Sequence, residues 1–272
     1  VSTTVDPSVI CPVCHEPKTH EAALAEGATE SGLAFLRQLG MKTIPRQCAC
    51  ERARLMREEA EITERNRRVR LASRIDGAGF PAIYRDASLE VTSTVKENDE
   101  AFRACRAYVK HALSMSLALI GGETGGVGVG KTHLAVATAR AIIREHDVSA
   151  LYWNHPQTMA KLRRHWSRNE FEEAEAVMES AERCGLLVLD EIGLVQMTER
   201  DLERFYALVD YRWSNLQPWI LTSNHDRAAL VERIGAPIVD RLFDERTTIA
   251  LRLSGPSRRL RGAATNNRKE QK

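Results

Sequence analysis

The run Gly125-Gly-Val-Gly-Val-Gly-Lys-Thr132 constrains this chain more than any other stretch. It fits G-x-x-x-x-G-K-[ST] at every fixed position, the pattern of a phosphate-binding loop. The apolar run Leu117-Ala-Leu-Ile120 ahead of it reads as a strand. Thr132 to Arg144 behind it reads as a helix, with Leu134, Ala137, Ala141 and Ile142 on one face. Strand, glycine-rich turn and helix in that order give the motif the context it needs. Glycines let the backbone curl so that successive N–H groups point at phosphate oxygens, and the helix N-terminus adds its dipole. Gly125, Gly126, Val127, Gly128, Val129, Gly130, Lys131, Thr132 and His133 are therefore assigned to nucleotide binding. Lys131 is expected to reach the β- and γ-phosphates, and the Thr132 hydroxyl to ligate Mg²⁺.

The rest of the second half alternates strand and helix. Strands are expected at Ala150–Trp153, Leu186–Leu189, Trp219–Thr222 and Thr248–Leu253. Helices are expected at Pro156–Trp166, Glu170–Arg183, Glu199–Trp213, Arg227–Ile234 and Pro237–Phe243. Such alternation predicts an α/β fold, a mostly parallel sheet with helices on both faces. Leu186-Leu-Val-Leu-Asp-Glu191 sends Asp190 out at the C-terminal end of a buried strand, where open α/β sheets bind their ligands. Asp190 is expected to share the Mg²⁺ site, and Glu191 to polarise an attacking water as general base. Asn224 follows the next strand in Leu221-Thr-Ser-Asn224, where a side-chain amide can orient that water. Together these residues point to binding and hydrolysis of ATP.

The first fifty residues are turn-rich and carry cysteines, and Glu51 to Ile75 holds neither Gly nor Pro. This second stretch reads as a charged helix with a thin apolar stripe of Leu55, Ile62, Val69 and Leu71, a solvated linker rather than a nucleic-acid binder. Phe80 to Glu97 reads as an irregular connector. The formal net charge of +2 is too near neutral to imply a polyanionic partner. The segment Arg252–Lys272, however, sets Arg252, Arg258, Arg259, Arg261, Arg268, Lys269 and Lys272 against Glu270 alone. No apolar run approaches the roughly 20 residues of a membrane span, and the N-terminus has no apolar signal core. A cytoplasmic location is the expectation.

Three stretches narrow the reading: Gly125 to Ala135 (continuing Gly-Lys-Thr-His-Leu-Ala), Leu186 to Gly193 and Ile220 to Asn224, joined by Val239-Asp-Arg-Leu242 and Gly255-Pro-Ser-Arg-Arg259. The chain resembles AAA+ ATPases of the DnaC/DnaI helicase-loader family and their IstB-like relatives. The resemblance implies a five-stranded parallel sheet in the order 5-1-4-3-2 that lacks most of the helical lid. It makes Lys131 and Thr132 Walker A, Asp190 and Glu191 Walker B, and Asn224 sensor 1. It also makes Arg241 an arginine finger acting on ATP of a neighbouring subunit, and Arg259 sensor 2, with Arg246, Arg252 and Arg258 as close competitors. Arg258 stands where the family usually has an aromatic.

Cys11-Pro-Val-Cys14 and Cys48-Ala-Cys50 form a C-x₂-C and a C-x-C pair, half-sites for a thiolate-bound Zn²⁺. His15 and His20 are possible substitutes for one ligand, and free thiols or an oxidised pair are the other readings. By resemblance, the DnaI branch carries an N-terminal zinc domain that contacts the helicase. Cys105 and Cys184 are expected as small buried apolar residues. The expected organisation is a zinc-binding domain at 1–50, a charged helix and linker at 51–107, an AAA+ domain at 108–261 and a basic tail at 262–272. The expected function is ATP-dependent loading of a hexameric replicative helicase onto single-stranded DNA. The chain would be a homo-oligomer on the helicase, with no membrane involved, and slow at hydrolysis without partners. Lys161, Arg163, Arg164 and Arg168 beside Trp166 are candidate DNA contacts, or an ordinary exposed face. The alternative function is assistance to a transposase on duplex DNA.

Overall fold

A computed structural model describes residues 11, 13–14, 19–21, 43–45, 48–90, 98–121, 127–255 and 257. Gly125, Gly126, His15, Arg258, Arg259 and the 262–272 tail lie outside the described residues. The chain divides into two compact units, 1–69 and 70–272.

In the first unit, β1 (Thr19–Glu21) pairs antiparallel with β2 (Thr43–Pro45). The helix α1 covers Ala49–Gly77, in place of the expected Glu51–Ile75, so its last residues, from Arg70 on, belong to the second unit. Its expected stripe is buried only in part: Ile62 is 59% exposed and Val69 64%, Leu55 is half-buried, and Leu71 packs against the apolar cluster of the second unit. Leu55, Ile62 and Val69 recur every seventh position, one apolar residue per two turns. A covered helix face needs about three to four in that length. Ion pairs along the helix such as Glu64–Arg68 at 2.8 Å are solvated and contribute only about 0.3–0.5 kcal/mol each.

The second unit is an α/β layer structure. Its strands are β3 (Ser116–Gly121), β4 (Ala150–Asn154), β5 (Leu186–Asp190), β6 (Trp219–Ser223) and β7 (Thr248–Leu253). All neighbours pair parallel in the order β4-β5-β6-β3-β7, which is the expected 5-1-4-3-2. Successive strand residues face opposite sides, and the core divides accordingly. Leu117, Leu119, Leu186, Val188 and Ile220 join one apolar cluster. Ala118, Ile120, Leu187, Leu189 and Leu221 join the other. Burial on both faces is why these strands read as continuous apolar runs rather than alternating ones.

Over the first face lie α2 (Asp99–Val109) and α3 (Lys131–His146). The sequence reading left α2 inside a linker. Ala101, Phe102, Cys105, Tyr108 and Val109 are nevertheless buried at helical spacing. Two of the five are small, and Arg103 and Arg106 interrupt the run, which weakens the periodic signal. With α2 on its back, α3 is buried well beyond one stripe, including Val136, Ala139 and Ile143. Cys105 and Cys184 are both buried, as expected. Over the second face lie α4 (His155–Ser167), α5 (Phe171–Arg183), α6 (Glu199–Ser214), α7 (Arg227–Ile234) and α8 (Ala236–Leu242). Among the described residues no helix is long and apolar enough to cross a membrane.

Candidate functional site: a phosphate cradle and a buried carboxylate

The strand register brings the site together at the C-terminal ends of three adjacent strands. Leu189 lies opposite Leu221, so Asp190 falls beside Thr222. Asn154 lies opposite Asp190 on the other flank. The glycine-rich loop delivers Thr132 to the same place from the start of α3. The Thr132 hydroxyl donates to Asp190 Oδ1 at 2.8 Å, and the Thr222 hydroxyl to the same oxygen at 2.6 Å. Asp190 is 2% exposed. A buried carboxylate beside a threonine hydroxyl is a set of hard oxygen donors, which fits Mg²⁺.

Gly128 (φ 77°) and Gly130 (φ 103°) adopt the left-handed conformation. At Gly128 a Cβ would also stand 2.1 Å from Ser257 Oγ, so this position must be bare. The first turn of α3 has no side-chain cap, and helix geometry directs its leading N–H groups out of the helix toward the loop. This loop and helix start fit a polyphosphate. Asn98, 1% exposed, steadies the loop from behind. Its amide donates to the Val129 carbonyl at 3.4 Å while its oxygen accepts from Ser254 N at 3.3 Å. Lys131 is 7% exposed, an unusual burial for a lysine.

Glu191 has φ 62°, a left-handed conformation that costs a residue with a side chain on the order of 1–3 kcal/mol. Its N–H donates to Thr222 Oγ1 at 3.0 Å. Asn154 Nδ2 donates to its Oε2 at 3.2 Å. Glu191, Asn224, Lys131, Thr132 and His133 line one cleft of about 240 Å³ together with Ile83 and Tyr84. Tyr84 meets His133 edge-on, with ring centroids 6.2 Å apart. The cleft thus offers backbone donors for phosphate, oxygens for a divalent cation and a carboxylate for water.

Asn98, Tyr84, Asn154, Tyr152 and Thr222 were not singled out from the sequence. Asn154, which ends β4, and Thr222, next to the end of β6, were findable, since polar side chains closing apolar strands next to Asp190 must reach its neighbourhood. Arg241 does not line the cleft. It sits on α8, where Nε donates to Asp210 Oδ1 at 2.6 Å, Nη2 to the Tyr206 hydroxyl at 2.8 Å and Nη1 to the Pro237 carbonyl at 3.0 Å. Arg246 is held by both oxygens of Asp244.

On α4, Lys161 and Arg164 are exposed, as is Arg168 just past its C-terminal end. Arg163 is engaged otherwise, donating to the buried Asp201 at 2.6 Å. Asp201 closes the N-terminal capping box of α6 with Thr198. Trp166 carries the Arg204 guanidinium 3.3 Å above its ring centre.

The cysteines gather in the first unit. The Sγ atoms of Cys11, Cys14, Cys48 and Cys50 all lie within 4.8 Å of one another. Cys50 Sγ is 3.3 Å from that of Cys11 and 3.2 Å from that of Cys48. Tetrahedral Zn–S bonds of about 2.3 Å imply S···S separations of about 3.8 Å, so the cluster fits zinc. Backbone N–H groups of Cys14 and Val13 lower the Cys11 thiol, while sulfur contacts with Cys48 and Cys11 push the Cys50 thiol up, so the four thiols share charge as one cluster. None of the four forms a disulfide.

A parallel sheet in this order, with a glycine-rich loop after β3 and an acidic end on β5, the two strands flanking β6, defines the AAA+ class of P-loop nucleotide-binding domains. The family model described as "IstB-like ATP binding protein" matches residues 52–264, and the chain belongs to that family. It is 26% identical over 223 residues to the phage-like element PBSX protein XkdC of Bacillus subtilis (strain 168), covering 79% of this chain and 76% of that protein. The fold is that of a DnaC helicase loader, with TM-score 0.54, 23% identity, and coverage of 64% of this chain and 99% of that one. It is likewise that of DnaI, with TM-score 0.53, 24% identity, and coverage of 66% and 94%.

Proposed function

We propose that this protein is an ATP-hydrolysing loader that delivers a hexameric replicative helicase onto single-stranded DNA. The observation that carries the reading is the Cys11–Cys14–Cys48–Cys50 cluster in a unit ahead of the ATP-binding domain. A zinc head followed by a charged helix suits docking onto a helicase, and the loaders DnaC and DnaI share the fold of the second unit. The family description favours a second reading, an IstB-type ATPase that serves a transposase on duplex DNA. Capture with the tagged full chain from host lysate separates them. A replicative helicase in the eluate is expected; a transposase in its place would overturn the first reading.

Lys131 and the loop N–H groups hold the phosphates. Thr132 and Asp190 would hold Mg²⁺, which when bound would supply charge neutralisation on the transferred phosphoryl group. Glu191 takes the proton of the attacking water, and Asn224 orients that water. Arg259 contacts the nucleotide as sensor 2, and Arg241 reaches ATP on an adjoining protomer. Exposed Lys161, Arg164 and Arg168 track the DNA backbone without reading bases.

One zinc per chain is expected at the four cysteines. Structural zinc sites contribute an apparent ~10–16 kcal/mol at neutral pH, and a head this small has little apolar core to replace that. Chelation should therefore unfold the first unit and leave the melting of the second unchanged. Metal analysis of the purified chain is the check. Stoichiometric zinc that survives Cys48→Ser together with Cys50→Ser would show that the ligands are other residues.

A further inference from the structure

The Asp190 carboxylate receives hydrogen bonds from three elements, and one of them lies outside every phosphate-site motif. Thr132 and Thr222 share Oδ1, whereas Oδ2 accepts from the Tyr152 hydroxyl at 2.5 Å. That separation is at the short end for a hydroxyl donating to a carboxylate, which marks a strong bond. The register explains how a tyrosine two residues before the strand end reaches so far. Tyr152 lies opposite Val188 and Asn154 opposite Asp190. Strand residues two apart share a face, and a phenol is long enough to extend along that face by one such step.

The ring is fixed independently of Asp190. The Tyr152 N–H donates to the Ala78 carbonyl at 2.7 Å, and the ring meets Phe80 edge-on with centroids 6.1 Å apart. A tyrosine hydroxyl keeps its proton at neutral pH, so Tyr152 is the donor in this bond. A carboxylate on its own turns freely about its terminal bond, because that torsion has broad minima. Donors on both oxygens, from opposite flanks, remove the freedom.

We propose that Tyr152 is a positioning residue for the metal site: its hydroxyl holds the Asp190 carboxylate in the orientation that serves Mg²⁺, so the metal response of nucleotide binding depends on β4 as well as on the motif residues. This rests on the ATP-binding reading of the cleft.

Tyr152→Phe keeps the ring against Phe80 and removes only the donor. Binding of a fluorescent, non-hydrolysable ATP analogue to the full chain, titrated with Mg²⁺, is the test. Affinity without Mg²⁺ should match the wild type, and the Mg²⁺ concentration for half-maximal enhancement should rise about tenfold, the scale of one lost charge-assisted hydrogen bond. In an Asp190→Asn background the same substitution should add no further shift. An unchanged Mg²⁺ midpoint would overturn the proposal. So would an equal loss of affinity with and without Mg²⁺, which is the mark of general damage. A wild-type chain that binds no nucleotide would overturn the cleft reading, and this one with it.

Discussion

Lys131→Ala is expected to abolish ATP binding, whereas Glu191→Gln is expected to keep binding and lose about 10²–10⁴ in turnover. The two residues line the same cleft but act at different moments. Lys131 opens α3, 7% exposed, with the nucleotide cradle around it. Its charge meets phosphate in the ground state, so its removal is felt on binding. Glu191 stands at the far side of Asp190, where Asn154 Nδ2 reaches its Oε2 at 3.2 Å. A glutamine there keeps the shape, an acceptor for Asn154 and the left-handed backbone, but it cannot take a proton from water. Equilibrium binding of labelled ATP and steady-state phosphate release measure the two effects separately. Equal loss of affinity in both variants would refute the division of roles.

The sheet was legible because three of its strands, β4, β5 and β6, are short apolar runs with polar closures, and the motif order fixes which closures meet. Leu186–Asp190 illustrates this: its burial on both faces gives an uninterrupted apolar run, and the acid after it can only emerge at the ligand end. Tyr152 was not legible. Its ring lies near Asp190 only because β4 and β5 pair in one particular register, and pairing register is not written in either strand alone. Arg212 is a second instance. An arginine on a helix reads as solvated, yet this one is 0% exposed, and its guanidinium donates to the carbonyls of Ala181, Glu182, Cys184 and Pro218. Those carbonyls come from the end of α5 and the approach to β6, so only the assembled fold creates the need for it. The α2 helix was missed for a different reason, since its small buried residues, Ala101 and Cys105, carry little hydropathy signal.

Arg241→Ala is expected to leave ATP binding intact and to suppress hydrolysis in the assembled state by about 10³–10⁵, the contribution of an arginine supplied to a transferring phosphoryl group in other NTPases. The site on α8 shapes how this must work. Within its own chain Arg241 already bonds Asp210, Tyr206 and Pro237, and its guanidinium lies 4.7 Å from the centre of the Tyr206 ring. Acting on another protomer requires the guanidinium to exchange Asp210 for phosphate, one anion for another. Such an exchange is feasible for a partly solvent-exposed pair, whose net worth is small. Mixing tests the geometry. A protomer lacking Arg241 retains a competent Walker site, and a Lys131→Ala protomer retains the arginine. Combined in one assembly they should recover part of the activity that neither shows alone. Asp210→Asn separates this from a structural role, because it removes the partner anion without removing the arginine. If the arginine acts in trans, hydrolysis in the assembled Asp210→Asn protein should persist or rise. If the arginine only ties α8 to α6, both Arg241→Ala and Asp210→Asn should lower the melting temperature together. No recovery on mixing, with co-assembly confirmed by sedimentation, would place Arg241 in a structural or cis role. Arg246, held by Asp244, would then be the next residue to substitute.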